Sequence, residues 1–516
     1  MKLVTVSQMR SIEKEANAKG ISYAQMMENA GRRLAEIVHA IGQEHDWKTV
    51  AGIVGSGNNG GDTLVALTWL AEAGWQTHAY LVNRKTIGDE LVARYLGVGG
   101  EAAQFTNDPG FDSLHGFLEE ADVLLDGLLG TGIKLPLRND AALVLQGITL
   151  ILADLKITPF IVAVDCPSGV DCDTGACADE TLHADITLTM AAVKQGLLKL
   201  PAFEYVGALD LVDIGLPENL EAWNALDTDV ADADRVSALL PDRSPASHKG
   251  TFGTAFVTAG STSYTGAALL AGKAAYRVGT GLVTMAVPEP LHFALAGHLP
   301  EATWIQLSHE HGFISEEACY QVSTSLERAT AILIGPGLGS KHTTKLFVEH
   351  LLPYLEIPVV IDADGLRHLA GIHDWHKKLK FMAVLTPHPG EMSALTGLSL
   401  NEIQSNREEI AGKYAKAWGH VVVLKGAFTV VASPGGCKTI IPVATPALAR
   451  AGTGDVLAGL IVGLRAQGVD AYEAAITGAY IHAQAGLRAA DLLGTTASVL
   501  ATDVLDSVPD IISELE

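Results

Sequence analysis

Positive charge is scarce in this sequence, and so is sulfur. Thirty-five Lys and Arg stand against 59 Asp and Glu, a formal net charge of −24 over 516 residues. A chain this acidic is a poor candidate for holding nucleic acid or an anionic membrane surface through its general field. A phosphorylated ligand has to be met by local donors instead: loop amides, helix N-termini and individual lysines. The 5 cysteines (Cys166, Cys172, Cys177, Cys319 and Cys437) are odd in number and form no C-x-x-C pair. That leaves no material for a disulfide framework or a zinc knuckle and fits a reducing compartment. No uncharged apolar run reaches membrane-spanning length. The opening residues, MKLVTVSQMRSIEKEA, carry charge early and contain no apolar signal-peptide segment. The expectation is a soluble, cytoplasmic protein with neither nucleic acid nor membrane as partner.

What is abundant is hydrophobic residues, at 48%, and glycine, at 53 residues. That composition and length suit an α/β protein of at least two domains. Helical periodicity covers Val6–Ala18 and Ala24–Ile41. Short β-branched runs then recur at Val50–Val54, His78–Val82, Asp122–Leu125, Phe160–Val164 and Ile186–Met190, each closed by a glycine or turn cluster. Such continuous apolar runs, separated by helix-length stretches, read as parallel strands buried on both faces. The stretch 217–247, rich in Asp and Pro, reads as the boundary, giving domains 1–222 and 223–516. Beyond it the alternation resumes, with strands expected at Thr254–Thr258, Leu282–Val287, Ala331–Ile334, Pro358–Ile361, Ala383–Leu385 and Val421–Leu424, and a long helix from near Gly454.

In the first half, Gly55-Ser56-Gly57-Asn58-Asn59-Gly60-Gly61-Asp62 follows a strand and opens a helix. Glycines let backbone amides approach phosphate oxygens there, and the helix N-terminus adds positive potential. No Gly-Lys-Ser/Thr follows, so this is not a Walker A loop. The glycines alone equally fit a tight turn; the paired asparagines and the aspartate supply oxygens that a turn does not need. Asp126-Gly127-Leu128-Leu129-Gly130-Thr131-Gly132 and Val164-Asp165-Cys166-Pro167-Ser168-Gly169 end two further strands, at the sheet edge where open α/β folds bind ligands. An aspartate in that position serves as a general acid/base or as a turn cap. Asn59, Asp126 and Ser168 offer hard oxygens with little charge, a set suited to a monovalent cation such as potassium.

In the second half, Ala449-Arg450-Ala451-Gly452-Thr453-Gly454-Asp455 feeds a helix with an acid in its first turn. Amides there can neutralise a transferring phosphoryl group while the acid takes a hydroxyl proton; a capped, buried helix is the alternative. Lys425-Gly426-Ala427-Phe428-Thr429 follows a strand and reads either as nucleotide contacts or as a hairpin turn with a solvated lysine. Gly335-Pro336-Gly337-Leu338-Gly339 permits close approach of a ligand. Two prolines pin His388 and place Glu391 in Thr386–Glu391, and Asp362-Ala363-Asp364-Gly365 adds carboxylates for magnesium or for a turn.

GNNGGD, DGLLGTG and VDCPSG, in that order over most of residues 1–215, resemble the NAD(P)H-hydrate epimerase family. YTGAA (Tyr264–Ala268), GPGLG, DADGL, TPHPGE, KG-x-x-T and AGTGD, from about Ser247 onward, resemble the NAD(P)H-hydrate dehydratase family. The resemblance implies an N-terminal Rossmann-like three-layer domain and a C-terminal ribokinase-like α/β domain. It implies that Asn58, Asn59, Gly60, Gly61 and Asp62, with Gly130, Thr131, Gly132, Ile133, Lys134, Leu135 and Pro136, hold the dinucleotide. By the same likeness Asp165 is the acid/base at the hydrated ring, and Asn59, Asp126 and Ser168 bind potassium. In the second domain Ala267, Gly337, His388 and Asp455 would touch the hydrate, with Asp455 as base, while Lys425, Gly426, Ala427, Phe428, Thr429 and Gly454 hold ADP with magnesium. Phosphorylation of the ring hydroxyl and elimination of phosphate would then restore the dihydronicotinamide. A homo-oligomer of four or more copies is implied as well. Two positions depart from the family: Thr63, where a further glycine is frequent, and Phe428, also commonly glycine, which would crowd the nucleotide. A small-molecule kinase fused to a binding domain is the competing reading; TPHPGE and the epimerase-like first half argue against it.

Overall fold

The computed structural model describes residues 1–516 and divides into two compact units, Met1–Leu226 and Asp227–Glu516. In the first, seven parallel strands form one sheet, in spatial order Glu101–Gln104, Gln76–Leu81, Thr49–Val54, Val123–Gly127, Phe160–Val164, Ile186–Met190 and Ala208–Val212. Alternate residues feed opposite faces, as the strand period of two dictates. Val50, Val54, Val123 and Leu125 pack with Met9, Ile12 and Leu34 of the first two helices. Ala51, Ile53 and Leu124 pack instead with Leu114, Leu145 and Ile148. The unit is therefore a Rossmann-like three-layer sandwich.

The chain leaves Thr49–Val54 outward to Glu101–Gln104, then returns to set Val123–Gly127 on the other side. This reversal opens a crevice between the C-terminal ends of those two strands, and the loops Gly55–Gly61 and Leu128–Gly132 lie at its mouth.

The second unit has ten strands, in the order Thr228–Val230, Lys438–Ile440, Val430–Ala432, Val421–Leu424, Val384–Leu385, Val359–Ile361, Ala331–Ile334, Thr254–Thr258, Leu282–Pro288 and Thr303–Leu307. All pairings are parallel except the two on either side of Val430–Ala432. Val257 and Leu333 face one core and Phe256 and Ile332 the other, so this ribokinase-like unit is also covered on both faces. Its reversal lies between Thr254–Thr258 and Ala331–Ile334.

The strands expected at Phe160–Val164, Ile186–Met190, Thr254–Thr258, Ala331–Ile334 and Val421–Leu424 form with those bounds, as does the helix Val6–Ala18. The stretch 217–247 holds more order than its composition implies. Thr228–Val230 is the edge strand of the second sheet, paired with Lys438–Ile440, and Asp232 caps the short helix Ala233–Ser237 by accepting from Arg235 N at 2.8 Å. Three residues are too few for a period of two to be legible.

Thr63 explains itself in this frame. It is fully buried, and its Oγ1 donates to the Asn59 carbonyl at 2.8 Å, which ties down the loop above it. A Cβ built on Gly127 would stand 1.8 Å from that same hydroxyl oxygen, so the two positions share one volume. Gly127→Ala is expected to destabilise the first unit by about 1–3 kcal/mol through overpacking. Combined with Thr63→Gly, the loss should fall well short of the sum of the two single losses. A double-mutant cycle by denaturant unfolding checks this, and strict additivity would mean that the residues do not compete for space.

Candidate active sites

The helix Asn58–Glu72 starts at Gly57, which supplies no side-chain cap; its first-turn amides are thus left for a ligand. Gly60 is required for the tight loop, since a Cβ there would lie 2.0 Å from the Gly55 carbonyl oxygen. Arg84 holds the loop from the side, donating from Nη1 to the Gly55 carbonyl at 3.1 Å while Nε pairs with Asp89 at 2.9 Å.

A cavity of about 740 Å³ opens at this point. Of the residues expected there, Asn58, Asn59, Asp62, Gly130, Thr131, Gly132, Ile133 and Asp165 line it. Gly60 and Gly61 are buried at the start of the helix, and Lys134, Leu135 and Pro136 continue the second loop beyond the wall. Beside the cavity, Asp126 and Ser168 form a closed network. Ser168 Oγ donates to Asp126 Oδ1 at 2.6 Å, Ser168 N donates to Oδ2 at 2.8 Å, and Leu129 N donates to Ser168 Oγ at 2.8 Å. Burial raises the Asp126 pKa despite those bonds. Asn59 Nδ2 donates to the Leu129 carbonyl at 2.8 Å, but its buried Oδ1 has no partner.

Asp165 sits at φ 66°, a left-handed conformation that costs a non-glycine residue roughly 1–3 kcal/mol unless its surroundings enforce it. They do. Its Oδ1 accepts from Met190 N at 2.9 Å, from Thr189 Oγ1 at 3.3 Å and from Lys194 Nζ. Lys194 is itself only 1% exposed and also donates to the Met190 carbonyl. With Oδ1 so engaged, Oδ2 is the oxygen left for chemistry. Asp62 and Glu13 border the same cavity. Burial, then the Asp165 charge, then Glu13 push the Asp62 carboxyl well above its ordinary range. Burial raises Glu13 too, with Lys194 opposing. Sequence reasoning missed Lys194 and Glu13. A lone lysine within the otherwise uncharged run 186–198 was a usable signal for the first; nothing distinguished Glu13 on its amphipathic helix.

In the second unit a cavity of about 420 Å³ is lined by His388, Lys425, Gly426, Ala427, Thr429 and Gly454 among the expected residues. Lys425–Thr429 is the turn of an antiparallel hairpin, yet its lysine is not solvated. Lys425 Nζ bonds Asp362 Oδ1 at 2.6 Å and lies 3.8 Å from Glu391. Burial lowers its pKa, and the carboxylates of Asp362 and Glu391 more than reverse this, so it stays cationic. Phe428 does not line the cavity. It takes φ 53°, the conformation a glycine would take at no cost, and its N–H donates to the Val443 carbonyl.

His388 caps the helix Pro389–Thr396. Its Nδ1 accepts from Gly390 N at 2.9 Å, and its own N–H donates to Glu391 at 2.9 Å, a reciprocal capping box. Glu391 lies 3.2 Å from His388 Nε2. Burial raises the Glu391 pKa, but the bonds from His388 and the charge of Lys425 together bring it below the ordinary value.

Ala267 and Gly337 stand against each other at the reversal of the second sheet, where a Cβ on Gly337 would lie 2.9 Å from that of Ala267; neither lines the cavity. Asp455 lies in the first turn of the helix Thr453–Ala466, which begins at Gly452 without a side-chain cap. Burial, then Asp362, raises its pKa to about 7, with Lys425 opposing. Asp364 accepts from Gly339 N at 2.7 Å. No group of three or more His, Cys, Asp or Glu is arranged to hold a metal, and no helix is long and apolar enough to cross a membrane.

Residues 255–510 match the family described as NAD(P)H-hydrate dehydratase, and residues 23–196 the family described as YjeF-related protein N-terminus. A bifunctional NAD(P)H-hydrate repair enzyme of Moorella thermoacetica is 37% identical over 100% of this chain and 97% of its own. One from Coxiella burnetii is 33% identical, over 96% of each chain. Among solved structures, the ADP/ATP-dependent NAD(P)H-hydrate dehydratase from Bacillus subtilis, co-crystallised with ATP and Mg2+, is 35% identical. It aligns with 57% of this chain and 100% of its own, at a TM-score of 0.49.

The Asp455 carboxyl should titrate with a midpoint near 7, observable as a shift of its carboxyl carbon signal. Lys425→Met should move that midpoint upward, because it removes the one cation that favours the ionised form. A midpoint in the ordinary aspartate range would refute the enclosure described above.

Proposed function

The chain belongs to the family of bifunctional NAD(P)H-hydrate repair enzymes, and we propose that it interconverts the R and S forms of hydrated NADH and NADPH in its first unit and dehydrates the S form in its second, consuming ADP. The observation that carries this reading is the pairing, in each unit, of a glycine-started, uncapped helix with one carboxylate. Hydration of a nicotinamide ring creates a stereocentre. A stereoselective dehydratase alone would strand one epimer, and an epimerase in the same chain removes that loss.

In the first site the free amides at Asn58 and Asn59 receive the dinucleotide phosphate, and Asp165 is the acid/base at the ring. Lys194, Thr189 and the Met190 amide fix Asp165 Oδ1 so that Oδ2 meets the substrate hydroxyl. Asn59, Asp126 and Ser168 fit a potassium ion: the donors are hard oxygens carrying one carboxylate, and the buried Asn59 Oδ1 lacks a partner. Such an ion would supply fixed positive charge beside the phosphate loop.

In the second site Lys425 and the amides at the start of the Thr453–Ala466 helix receive the nucleotide phosphates. Asp455 takes the proton of the ring hydroxyl as the phosphoryl group passes to that oxygen from ADP, with AMP as leaving group; expulsion of phosphate, with loss of a proton from the neighbouring ring carbon to solvent, then restores the ring double bond. Ala267, Gly337 and His388 border the hydrate. With no ready-made group of acids, magnesium would come in as the nucleotide complex, held mainly by phosphate oxygens. The reading carries with it a cytoplasmic setting and a homo-oligomer of four or more copies, as the family resemblance implies.

Incubation with ADP and NADH hydrate should return the dihydronicotinamide absorbance; no return with ADP or ATP sinks the assignment. Asp165→Ala should stop exchange between epimers and leave dehydration of the S form intact. Asp455→Ala should abolish dehydration while ADP still binds. Epimer exchange surviving in the first variant, or dehydration in the second, would move the acid/base role to another residue.

A further inference from the structure

Counted along the chain, the first six strands of the seven-stranded sheet lie in the spatial order 3-2-1-4-5-6, all parallel. A sheet wound this way divides a dinucleotide between its two halves, with the pyrophosphate at the reversal. Asp165, the acid assigned to the nicotinamide ring, directly follows the fifth strand, Phe160–Val164. The nicotinamide half therefore belongs over strands four to six, and the adenosine half falls to strands one to three. In such sites the group that meets the 2′ position of the adenosine ribose comes about 20 residues after the glycine loop: an acid for a hydroxyl, a cationic side chain for a phosphate.

Asn83-Arg84-Lys85-Thr86 stands at that distance, just past the second strand, Gln76–Leu81. With Gln104 and Thr106 beside the neighbouring strand, these residues line an open cavity of about 400 Å³ that has no acid in its wall. Arg84 ties this cavity to the phosphate loop. Its Nη1 donates to the Gly55 carbonyl at 3.1 Å and to the Gly57 carbonyl at 3.4 Å, and Gly57 lines the dinucleotide cavity. The next acid along the chain, Asp89, is not free to hold a ribose hydroxyl. Its Oδ2 pairs with Arg84 Nε, and its Oδ1 caps the helix Glu90–Gly97, accepting from Leu91 N at 3.0 Å and Val92 N at 3.2 Å. Lys85 is exposed and has neither an ion pair nor a hydrogen bond within the protein. In a chain of net charge −24, an uncompensated cation thus stands where the two forms of the cofactor differ.

We propose that Lys85, with Arg84 beside it, binds a 2′-phosphate on the adenosine ribose, so that the first unit favours hydrated NADPH over hydrated NADH. A 2′-hydroxyl finds no free carboxylate there, whereas a phosphate gains a charge-assisted hydrogen bond. The inference rests on the epimerase reading of the first unit and adds which of its two substrates that site prefers.

Exchange between epimers is measured in the full chain without ADP, which keeps the second unit silent, with hydrated NADPH and hydrated NADH as separate substrates. The wild type should show a kcat/KM about tenfold higher for the phosphorylated substrate, the worth of one hydrogen bond between charged groups near solvent, and the difference should lie in KM. Lys85→Ala should bring the ratio of the two kcat/KM values close to one by raising KM for hydrated NADPH, while Lys85→Arg keeps most of the preference. Equal kcat/KM for both substrates in the wild type overturns the proposal without recourse to any variant. So does a Lys85→Ala protein that keeps the wild-type ratio. An equal loss on both substrates assigns Lys85 a purely structural role and also overturns it. Exchange of neither substrate by the wild type removes the epimerase reading and this inference with it, a different failure from exchange without discrimination.

Discussion

Both sites depend on backbone amides left unpaired where a helix begins. A parallel sheet delivers the C-termini of its strands to one edge, and the helix that follows each strand starts there with amides that its own turns cannot satisfy. Most helices answer this with a Ser, Thr, Asp or Asn cap, and several in this molecule do so: Thr5, Ser22 and Asp89 each accept from the following turn. The two helices at the proposed phosphate sites begin instead at Gly57 and Gly452, with nothing to accept those bonds. Glycine in place of such a cap costs a helix only about a few tenths of a kcal/mol. A phosphate returns that cost with charge complementarity, so the helix is completed only when substrate is present.

The acids follow from the same placement. Asp165 and Asp455 both lie at strand or helix ends on that edge, next to further carboxylates and one buried lysine each. The two arrangements differ in how tightly the lysine is spent. Lys194 is bonded directly to Asp165 and acts as a brace. Lys425 bonds Asp362 and influences Asp455 only through space, so Asp455 keeps a pKa near neutrality. The role of base proposed for Asp455, taking a proton and then returning to rest, is well served by that value.

Much of this was legible in the sequence, and the rest was not for identifiable reasons. Phe160–Val164 and Val421–Leu424 were readable because a buried parallel strand is apolar at every position. The loop around Gly60 was readable because close backbone contact tolerates no side chain. The environment of Asp455 was not: it is set by Asp362 and Lys425, brought in by separate strands, and only the sheet order joins them. For Lys425 the sequence left nucleotide contact and a solvated hairpin turn both open, because local sequence cannot show that Asp362 waits across the sheet edge. Glu13 was hidden for the same reason, on a helix whose inward face is decided by the layer beneath it.

The brace on Asp165 reaches back to the very start of the chain. Leu3–Val4 runs as a short strand alongside Val193–Lys194, Val6 N donates to Asp173 at 2.8 Å, and the next turns contribute Met9, Arg10 and Glu13 to the cavity wall. These residues thus work as a latch on the lysine that steadies Asp165. Displacing Leu3–Val4 from Val193–Lys194 would loosen that latch and leave Asp165 less firmly held, although every motif stays intact.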